Sequence, residues 1–94
     1  MKEAQYTLSI DPCAFDDVCV RLFGRISVEN ADTLLVELLE IIEGHPLKNV
    51  VVDLQEVEYL DSAGAAVLME ARARCKEMNN TLETANAAGP THKL

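Results

Sequence analysis

The feature that most constrains this 94-residue sequence is an apolar run at 49–54, Asn-Val-Val-Val-Asp-Leu. Its β-branched residues follow one another without the polar alternation of a half-exposed strand. This predicts a strand that is covered on both faces within a parallel or mixed sheet. Apolar residues recur at helical spacing on either side of the run, at 30–43 and 63–78, which predicts two amphipathic helices. A central strand between such helices is typical of an α/β layer fold.

Three further strands are predicted around this centre. Residues 6–10 alternate between apolar and polar, and a second apolar run at 18–23 is followed by Gly24. These two segments predict a hairpin whose second strand ends at the glycine. A short segment at 57–60 leads into the second helix, and 81–85 is a candidate last strand. The predicted order is therefore β-β-α-β-α-β.

The C-terminal end of the sequence predicts the start of one more helix. Gly89 and Pro90 are placed to open it, because proline is favoured at the first helical position. About one helical turn remains before Leu94, too little for a stable helix on its own. We therefore expect residues 1–94 to form one domain whose C-terminal helix is truncated.

Charge is distributed unevenly along the chain. Sixteen acidic and eight basic side chains give a net charge of −8, to which residues 1–61 contribute −9 and residues 62–94 contribute +1. This balance argues against binding to nucleic acid or to an anionic membrane, since both require clustered cations. The acidic part is either a solvated surface that maintains solubility or a docking face for a basic partner.

Cysteine usage and hydropathy indicate the compartment. Cys13, Cys19 and Cys75 are too few and too irregularly spaced for a disulfide framework or a zinc site. The apolar surroundings of Cys19 and Cys75 predict small core side chains. The sequence shows neither a signal peptide nor an apolar stretch of membrane length. A reducing, cytoplasmic location is therefore expected.

Motifs typical of enzymes are missing from the sequence. It has no phosphate-binding glycine loop and no nucleophile elbow. Neither His45 nor His92 has a companion at triad or metal-ligand spacing. Four carboxylates cluster without the spacing of a calcium loop, namely Asp53, Glu56, Glu58 and Asp61. The sequence therefore predicts a non-enzymatic chain with no cofactor and no metal.

The most informative segment is Asp-Ser-Ala-Gly-Ala at 61–65, where the second predicted helix begins. A serine or aspartate at this place is most simply an N-cap. The first turn of a helix also presents unpaired N–H groups and a partial positive charge, so a phosphate on Ser62 would be stabilised there. Such a phosphate would add about two negative charges beside Asp61 and Glu58. It would change what the surface binds without disturbing the fold.

With this motif the sequence resembles the STAS domain, a family shared by sulfate-transporter tails and anti-sigma factor antagonists. The similarity extends over nearly the whole chain. It is carried by Leu-Phe-Gly-Arg-Ile at 22–26, Val-Val-Asp-Leu at 51–54, Tyr-Leu-Asp-Ser-Ala-Gly at 59–64 and Thr-Leu-Glu-Thr-Ala-Asn at 81–86. The resemblance implies a STAS-type α/β layer fold in which amphipathic helices pack on a central mixed β-sheet.

The resemblance to anti-sigma factor antagonists also implies a mechanism of partner switching. Ser62 would be the phosphoacceptor of a partner kinase that is itself the anti-sigma factor, and Asp61 and Gly64 would shape the turn. The unphosphorylated chain would bind the kinase and free the sigma factor, and a phosphatase would reset the cycle. The phosphate would weaken docking through like-charge repulsion and the cost of desolvation.

The residues after Ser62 support a second interpretation. Ala63, Ala65 and Ala66 make the motif similar to STAS segments associated with lipid-type ABC permeases. This similarity implies a cytosolic module of an anion transporter or ABC permease system, in which the hydroxyl serves a permanent subunit contact.

The two interpretations share an expected binding face, the motif turn from Asp61 to Ala65 together with the helix at 63–78. Within the turn, Ala63 and Gly64 are expected to contribute beside Ser62. Rim contacts are expected from three charged side chains, Glu58, Arg72 and Arg74. A solvated helix face explains the two arginines about equally well.

Overall fold

Four strands form a single mixed sheet in the order β1-β2-β3-β4. The structure, a computed structural model, describes residues 5–11 and 17–86. The strands are β1 (Tyr6–Asp11), β2 (Asp17–Ile26), β3 (Asn49–Leu60) and β4 (Thr81–Ala85). β1 pairs antiparallel with β2, whereas β2, β3 and β4 run parallel to one another. The predicted hairpin and mixed sheet are thereby confirmed.

Two helices cover one face of this sheet. They are α1 (Ala31–Gly44), between β2 and β3, and α2 (Ser62–Glu77), between β3 and β4. Each helix buries an aliphatic stripe against alternate residues of the central strands. The fully buried side chains of this core include Leu34, Leu38 and Ile42 of α1, Val20 and Leu22 of β2, Val50, Val52 and Leu54 of β3, and Cys75 of α2. The periodicity that predicted both helices is therefore the periodicity of the core.

The burial of β3 differs from the sequence-based prediction. Val50 and Val52 are fully buried, but Val51 and Asp53 are only partly buried. The expectation of cover on both faces is therefore wrong for the described residues. Because α1 and α2 share one face of the sheet, successive residues of β3 alternate between the core and the open face.

β3 also continues past the point where the apolar run ends. Its register with β2 shifts twice, between Arg21 and Phe23 and between Gly24 and Arg25. Each shift accommodates one additional residue of β3, so the strand bends and regains its phase. Residues 57–60, predicted as a separate short segment, are the second half of this strand, and both Val57 and Leu60 are buried.

Gly24 does not end β2, as the sequence suggested, but lies inside it. Its φ is +97°, and a Cβ at this position would lie 2.6 Å from the carbonyl oxygen of Gln5. Glycine adopts this conformation without steric cost, so β2 passes close to β1 and continues to Ile26.

A buried asparagine joins the end of α1 to the start of β4. The Asn80 Oδ1 accepts from the Leu47 N–H at 2.8 Å. Its Nδ2 donates to the carbonyl oxygens of His45 at 2.9 Å and Ile42 at 3.4 Å. The side chain is 3% exposed, so these backbone groups depend on it for their hydrogen bonds.

The two described cysteines have different environments. Cys75 is a buried free thiol, and its burial raises the pKa of that thiol. Cys19 forms a disulfide bond and is only partly buried, because its side chain lies on the open face of the sheet rather than among the core valines. The prediction of a small core residue is confirmed for Cys75 and wrong for Cys19, and the disulfide of Cys19 is contrary to the expectation of reduced cysteines. Cys13 and the predicted helix after Gly89 lie outside the described residues.

Among the residues that the structure describes, no helix combines the length and the apolar character needed to cross a membrane.

Candidate partner-binding site

Asp61, rather than Ser62, is the N-cap of α2. Its Oδ1 accepts from the Gly64 N–H at 3.0 Å, which satisfies one of the unpaired donors of the first turn. Its Oδ2 accepts from the N–H of Val28 at 3.2 Å, in the loop between β2 and α1. One carboxylate thus holds the start of α2 against a loop 33 residues away in sequence.

Removing this carboxylate should loosen both segments. We expect Asp61→Ala to lower the free energy of unfolding by about 1–2 kcal/mol, measured by chemical denaturation, because a cap and a second hydrogen bond are lost. Amide exchange should quicken at Val28 and Gly64. The control is Asp32→Ala, which removes a first-turn carboxylate from α1 and should cost at most about 0.5 kcal/mol. Unchanged exchange at Val28 would contradict the bridging role of Asp61.

Because Asp61 supplies the cap, the Ser62 hydroxyl does not cap the helix. Ser62 is the first residue of α2 and is exposed, and its hydroxyl makes no hydrogen bond to the described part of the chain. The first turn of the helix contains no acidic side chain. The hydroxyl therefore lies in solvent at the positive end of the helix dipole.

Two other residues of the motif serve packing. Gly64 is buried, and a Cβ there would approach Leu60 Cδ1 to 2.5 Å and Ile26 Cγ2 to 2.9 Å. Ala63 is partly buried and packs against the core. These two residues set how closely the start of α2 approaches the sheet, and they offer little surface to a partner.

The remaining expected contact residues are distributed over different surfaces. Ala65 and Arg72 line a groove of about 130 Å³ between α2 and β4. Arg74 instead contacts acidic side chains of its own helix, Glu70 at 3.4 Å and Glu77 at 3.8 Å. Such exposed pairs contribute about 0.5 kcal/mol or less, as expected for a solvated helix face.

Glu58 lies apart from the motif turn. It lines a groove with Glu56, Thr7 and Phe23. Of the three charged side chains expected at the rim, Arg72 is therefore the one that the structure brings into a shared groove with a motif residue.

Sequence reasoning missed an exposed stripe on α2. Its members recur at helical spacing and carry no charge: Ser62, Ala66, Met69 and Ala73. Met69 is 70% exposed, and Val28, which is bonded to the cap, is 74% exposed. The helical spacing of these residues is visible in the sequence. Their exposure is not, because alanine occurs on both the buried and the exposed faces of helices. We call these four residues the α2 outer stripe.

The carboxylates that cluster in sequence do not converge in space. Asp53 accepts from Asn86 Nδ2 at 2.9 Å and from the Gln55 N–H at 3.0 Å, and Arg21 lies 3.9 Å away. These hydrogen bonds, with the nearby guanidinium, lower the pKa of Asp53. No group of three or more His, Cys, Asp or Glu side chains within 5–11 and 17–86 is arranged to hold a metal.

The family follows from a match over most of the chain. Residues 13–94 match the profile of a domain family described as "Mlab, STAS domain". The chain belongs to the STAS domain family. The resemblance inferred from the sequence is thereby confirmed, and with it the α/β fold with a central mixed sheet.

Solved structures share this STAS fold at low sequence identity. An anti-sigma factor antagonist from Mycobacterium paratuberculosis is 23% identical with a TM-score of 0.73, over 93% of this chain and 71% of that one. Unphosphorylated SpoIIAA, an anti-sigma factor antagonist, is 14% identical with a TM-score of 0.71, over 90% of this chain and 73% of that one. The phosphorylated form of SpoIIAA from Bacillus is 15% identical with a TM-score of 0.68, over 90% and 76% of the two chains.

A longer protein also contains a similar domain. The structure of Mglu is 23% identical with a TM-score of 0.67, and the match covers 83% of this chain but 19% of the Mglu chain. The STAS domain described here therefore spans about a fifth of the length of that protein.

Proposed function

We propose that this STAS domain is a non-enzymatic regulatory module that binds a protein partner through the α2 outer stripe, and that phosphorylation of Ser62 switches this contact. The observation that carries the proposal is the exposed Ser62 hydroxyl at the head of the stripe, which bonds to none of the residues that the structure describes. The partner in this scheme is a serine kinase of the anti-sigma type, which supplies its own ATP. The similarity in fold to SpoIIAA, which has a phosphorylated form, supports this proposal.

The charge of the surface explains why a phosphate would act as a switch. The chain carries a net charge of −8, yet the α2 outer stripe is neutral and includes the exposed Met69. Binding of an apolar partner surface to such a stripe is favourable, because it removes apolar area from water. A phosphate on Ser62 adds about two negative charges beside Asp61, and these charges would have to be desolvated on binding. The helix N-terminus stabilises the phosphate in the free module, which favours dissociation further.

The proposal is tested with a purified anti-sigma-type serine kinase from the same genome and ATP. Intact mass should show the addition of one phosphate, and this addition should disappear in Ser62→Ala. In calorimetry, Ser62→Asp should weaken binding to the kinase at least tenfold, a loss of about 1.4 kcal/mol, since it introduces part of the phosphate charge.

The matched control is Ser27→Ala, because Ser27 lies in the adjacent loop and its Oγ accepts from the Glu29 N–H. This variant should be phosphorylated like the unmodified protein. Phosphate transfer that persists in Ser62→Ala would exclude Ser62 as the acceptor. Binding that is equally tight for Ser62→Asp and the unmodified chain would exclude the switch.

A second candidate function is a permanent subunit contact in an anion transporter or lipid-type ABC permease system. It is favoured by the small residues beside the serine, Ala63 and Ala65, and by the family description, which names Mlab rather than an antagonist. In that case, affinity purification from the native host should recover a permease or ATPase subunit with unmodified Ser62. Ser62→Asp would then weaken the contact without abolishing it.

A further inference from the structure

β1 is an edge strand without the features that usually protect an edge. It has six residues, and its register with β2 is regular from Tyr6 opposite Gly24 to Asp11 opposite Cys19. The strand contains no proline, no lysine and no bulge, which are the common devices against unwanted pairing. Among the described residues, no other strand pairs with its outer side.

The pattern of hydrogen bonds between β1 and β2 identifies the backbone groups of β1 that point away from the sheet. The Arg25 N–H donates to the carbonyl oxygen of Gln5 at 2.8 Å, so Gln5 and every second residue after it bond to β2. In an antiparallel pair the intervening residues point their N–H and C=O groups the other way. Tyr6, Leu8 and Ile10 therefore direct three donors and three acceptors away from the sheet.

A groove lies beside two of these residues, Leu8 and Ile10. It has a volume of about 330 Å³ and separates β1 from α1. Its apolar lining comes from Leu8, Ile10 and Ile41, and Ile10 is 49% exposed. The side chains of an added strand would therefore contact apolar surface, while its backbone pairs with the outward-pointing groups of β1.

The wall of the groove is acidic. Glu37 and Glu40 of α1 line it. Glu37 accepts from the Tyr6 hydroxyl, whereas Glu40 is exposed and makes no hydrogen bond or ion pair within the described residues. A second pocket shares Ile10 and His45 with this groove and is lined by Asp11, Asp17 and Lys48, and Arg21 lies 3.4 Å from Asp11. The potential of the groove is therefore negative, which favours a cationic ligand.

We infer that β1 accepts an extended strand from a partner protein, and that the side chains which this strand directs at the groove, every second residue, alternate between basic and apolar. Its backbone pairs with Tyr6, Leu8 and Ile10, an apolar side chain covers Ile10, and lysine or arginine side chains reach Glu37 and Glu40. A second copy of this chain is a poor occupant, because pairing β1 with β1 would place the glutamates of two α1 helices side by side. This surface is separate from Ser62, which follows β3.

The test uses a fluorescent heptapeptide, Thr-Lys-Thr-Val-Thr-Lys-Thr, whose Lys-Val-Lys face is directed at the groove. Fluorescence anisotropy should detect binding that weakens with added salt, and the same peptide with glutamate for lysine should not bind. Hydrogen exchange should slow at the amides of Tyr6, Leu8 and Ile10. Absence of binding, or protection confined to α2, would overturn the inference.

Two pairs of variants distinguish the contribution of backbone hydrogen bonds to peptide binding from the contribution of charge. Ile10→Pro removes an outward N–H without touching the bonds to β2, so it should weaken peptide binding about tenfold relative to Ile10→Ala. Glu40→Lys should weaken it about fivefold, whereas Glu43→Lys, one turn away and outside the groove, should have little effect.

Equal affinity for Ile10→Pro and Ile10→Ala, with both folded by circular dichroism, would exclude strand addition. Concentration-dependent dimerisation that Ile10→Pro abolishes would identify a second copy as the occupant and overturn the inference. Ser62→Ala should bind the peptide as the unmodified protein does, so failure of the inference and failure of the proposed switch are distinguishable.

Discussion

Asn80→Ala should lower the free energy of unfolding by about 2–4 kcal/mol, and the melting temperature by roughly 10–20 °C for a domain of this size. The side chain is buried and bonds to the Leu47 N–H and to the carbonyls of His45 and Ile42. Truncation leaves these backbone groups without partners and opens a small cavity. Thermal and urea denaturation measure the loss.

The neighbouring asparagine provides the control. Asn79 is exposed, and its φ of 60° is one that glycine also adopts. Asn79→Gly should therefore change stability by at most about 0.5 kcal/mol. Asn80→Leu should remain destabilised although it fills the volume, because the backbone groups stay unpaired. A loss below about 0.5 kcal/mol for Asn80→Ala would show that this bonding network is not needed for stability.

Gly64→Val should be the other severe substitution, with an expected loss of about 3 kcal/mol or more. A Cβ at this position meets Leu60 Cδ1 at 2.5 Å and Ile26 Cγ2 at 2.9 Å, and the Ile26 carbonyl oxygen lies 3.3 Å away. Leu60 and Ile26 are buried, so neither side chain has free space into which it can move. The start of α2 must then shift away from the sheet, taking Ser62 with it.

Gly44→Ala tests the same kind of change where there is space. Gly44 is the last residue of α1, and nothing lies within 4 Å of a Cβ built on it. The substitution should be neutral or stabilise by up to about 0.5 kcal/mol, because alanine favours the helix. Gly64→Ala adds only the Cβ and should also destabilise, because this Cβ lies 2.5 Å from Leu60 Cδ1. Combining it with Leu60→Val should recover part of the loss, since valine lacks the Cδ1 atom. A Gly64→Val protein with unchanged stability would contradict the close approach of α2 to the sheet.

These contacts divide the motif at 61–65 into two sets of residues. Asp61 and Gly64 hold the turn in place through a bridging carboxylate and close packing. Ser62 is exposed to solvent, and Ala65 lines the groove between α2 and β4. Substitutions in the first set should therefore act on partner binding through stability, and substitutions in the second set should act on it directly. Measuring denaturation and affinity for the same variants separates the two effects.

The amino-acid sequence by itself determined the order of elements, the two helices and their buried stripes. These depend on local periodicity, which a chain carries wherever it packs. The hairpin of β1 and β2 and the mixed sheet also followed from the alternation of strands and helices. The motif at Asp61 and Ser62 indicated the STAS family because its residues are contiguous.

The tertiary structure alone decided how these elements meet. The two register shifts of β3, the passage of β2 through Gly24 and the bridge from Asp61 to Val28 all join residues that are distant in sequence. So does the pairing of Asn80 with the end of α1. Residue type alone does not identify the partner of a carboxylate or an amide, because backbone donors and acceptors are chemically alike along the chain. The packing of the elements determines which donors and acceptors meet. As a result, Asp61 is the cap of α2 and Ser62 is exposed.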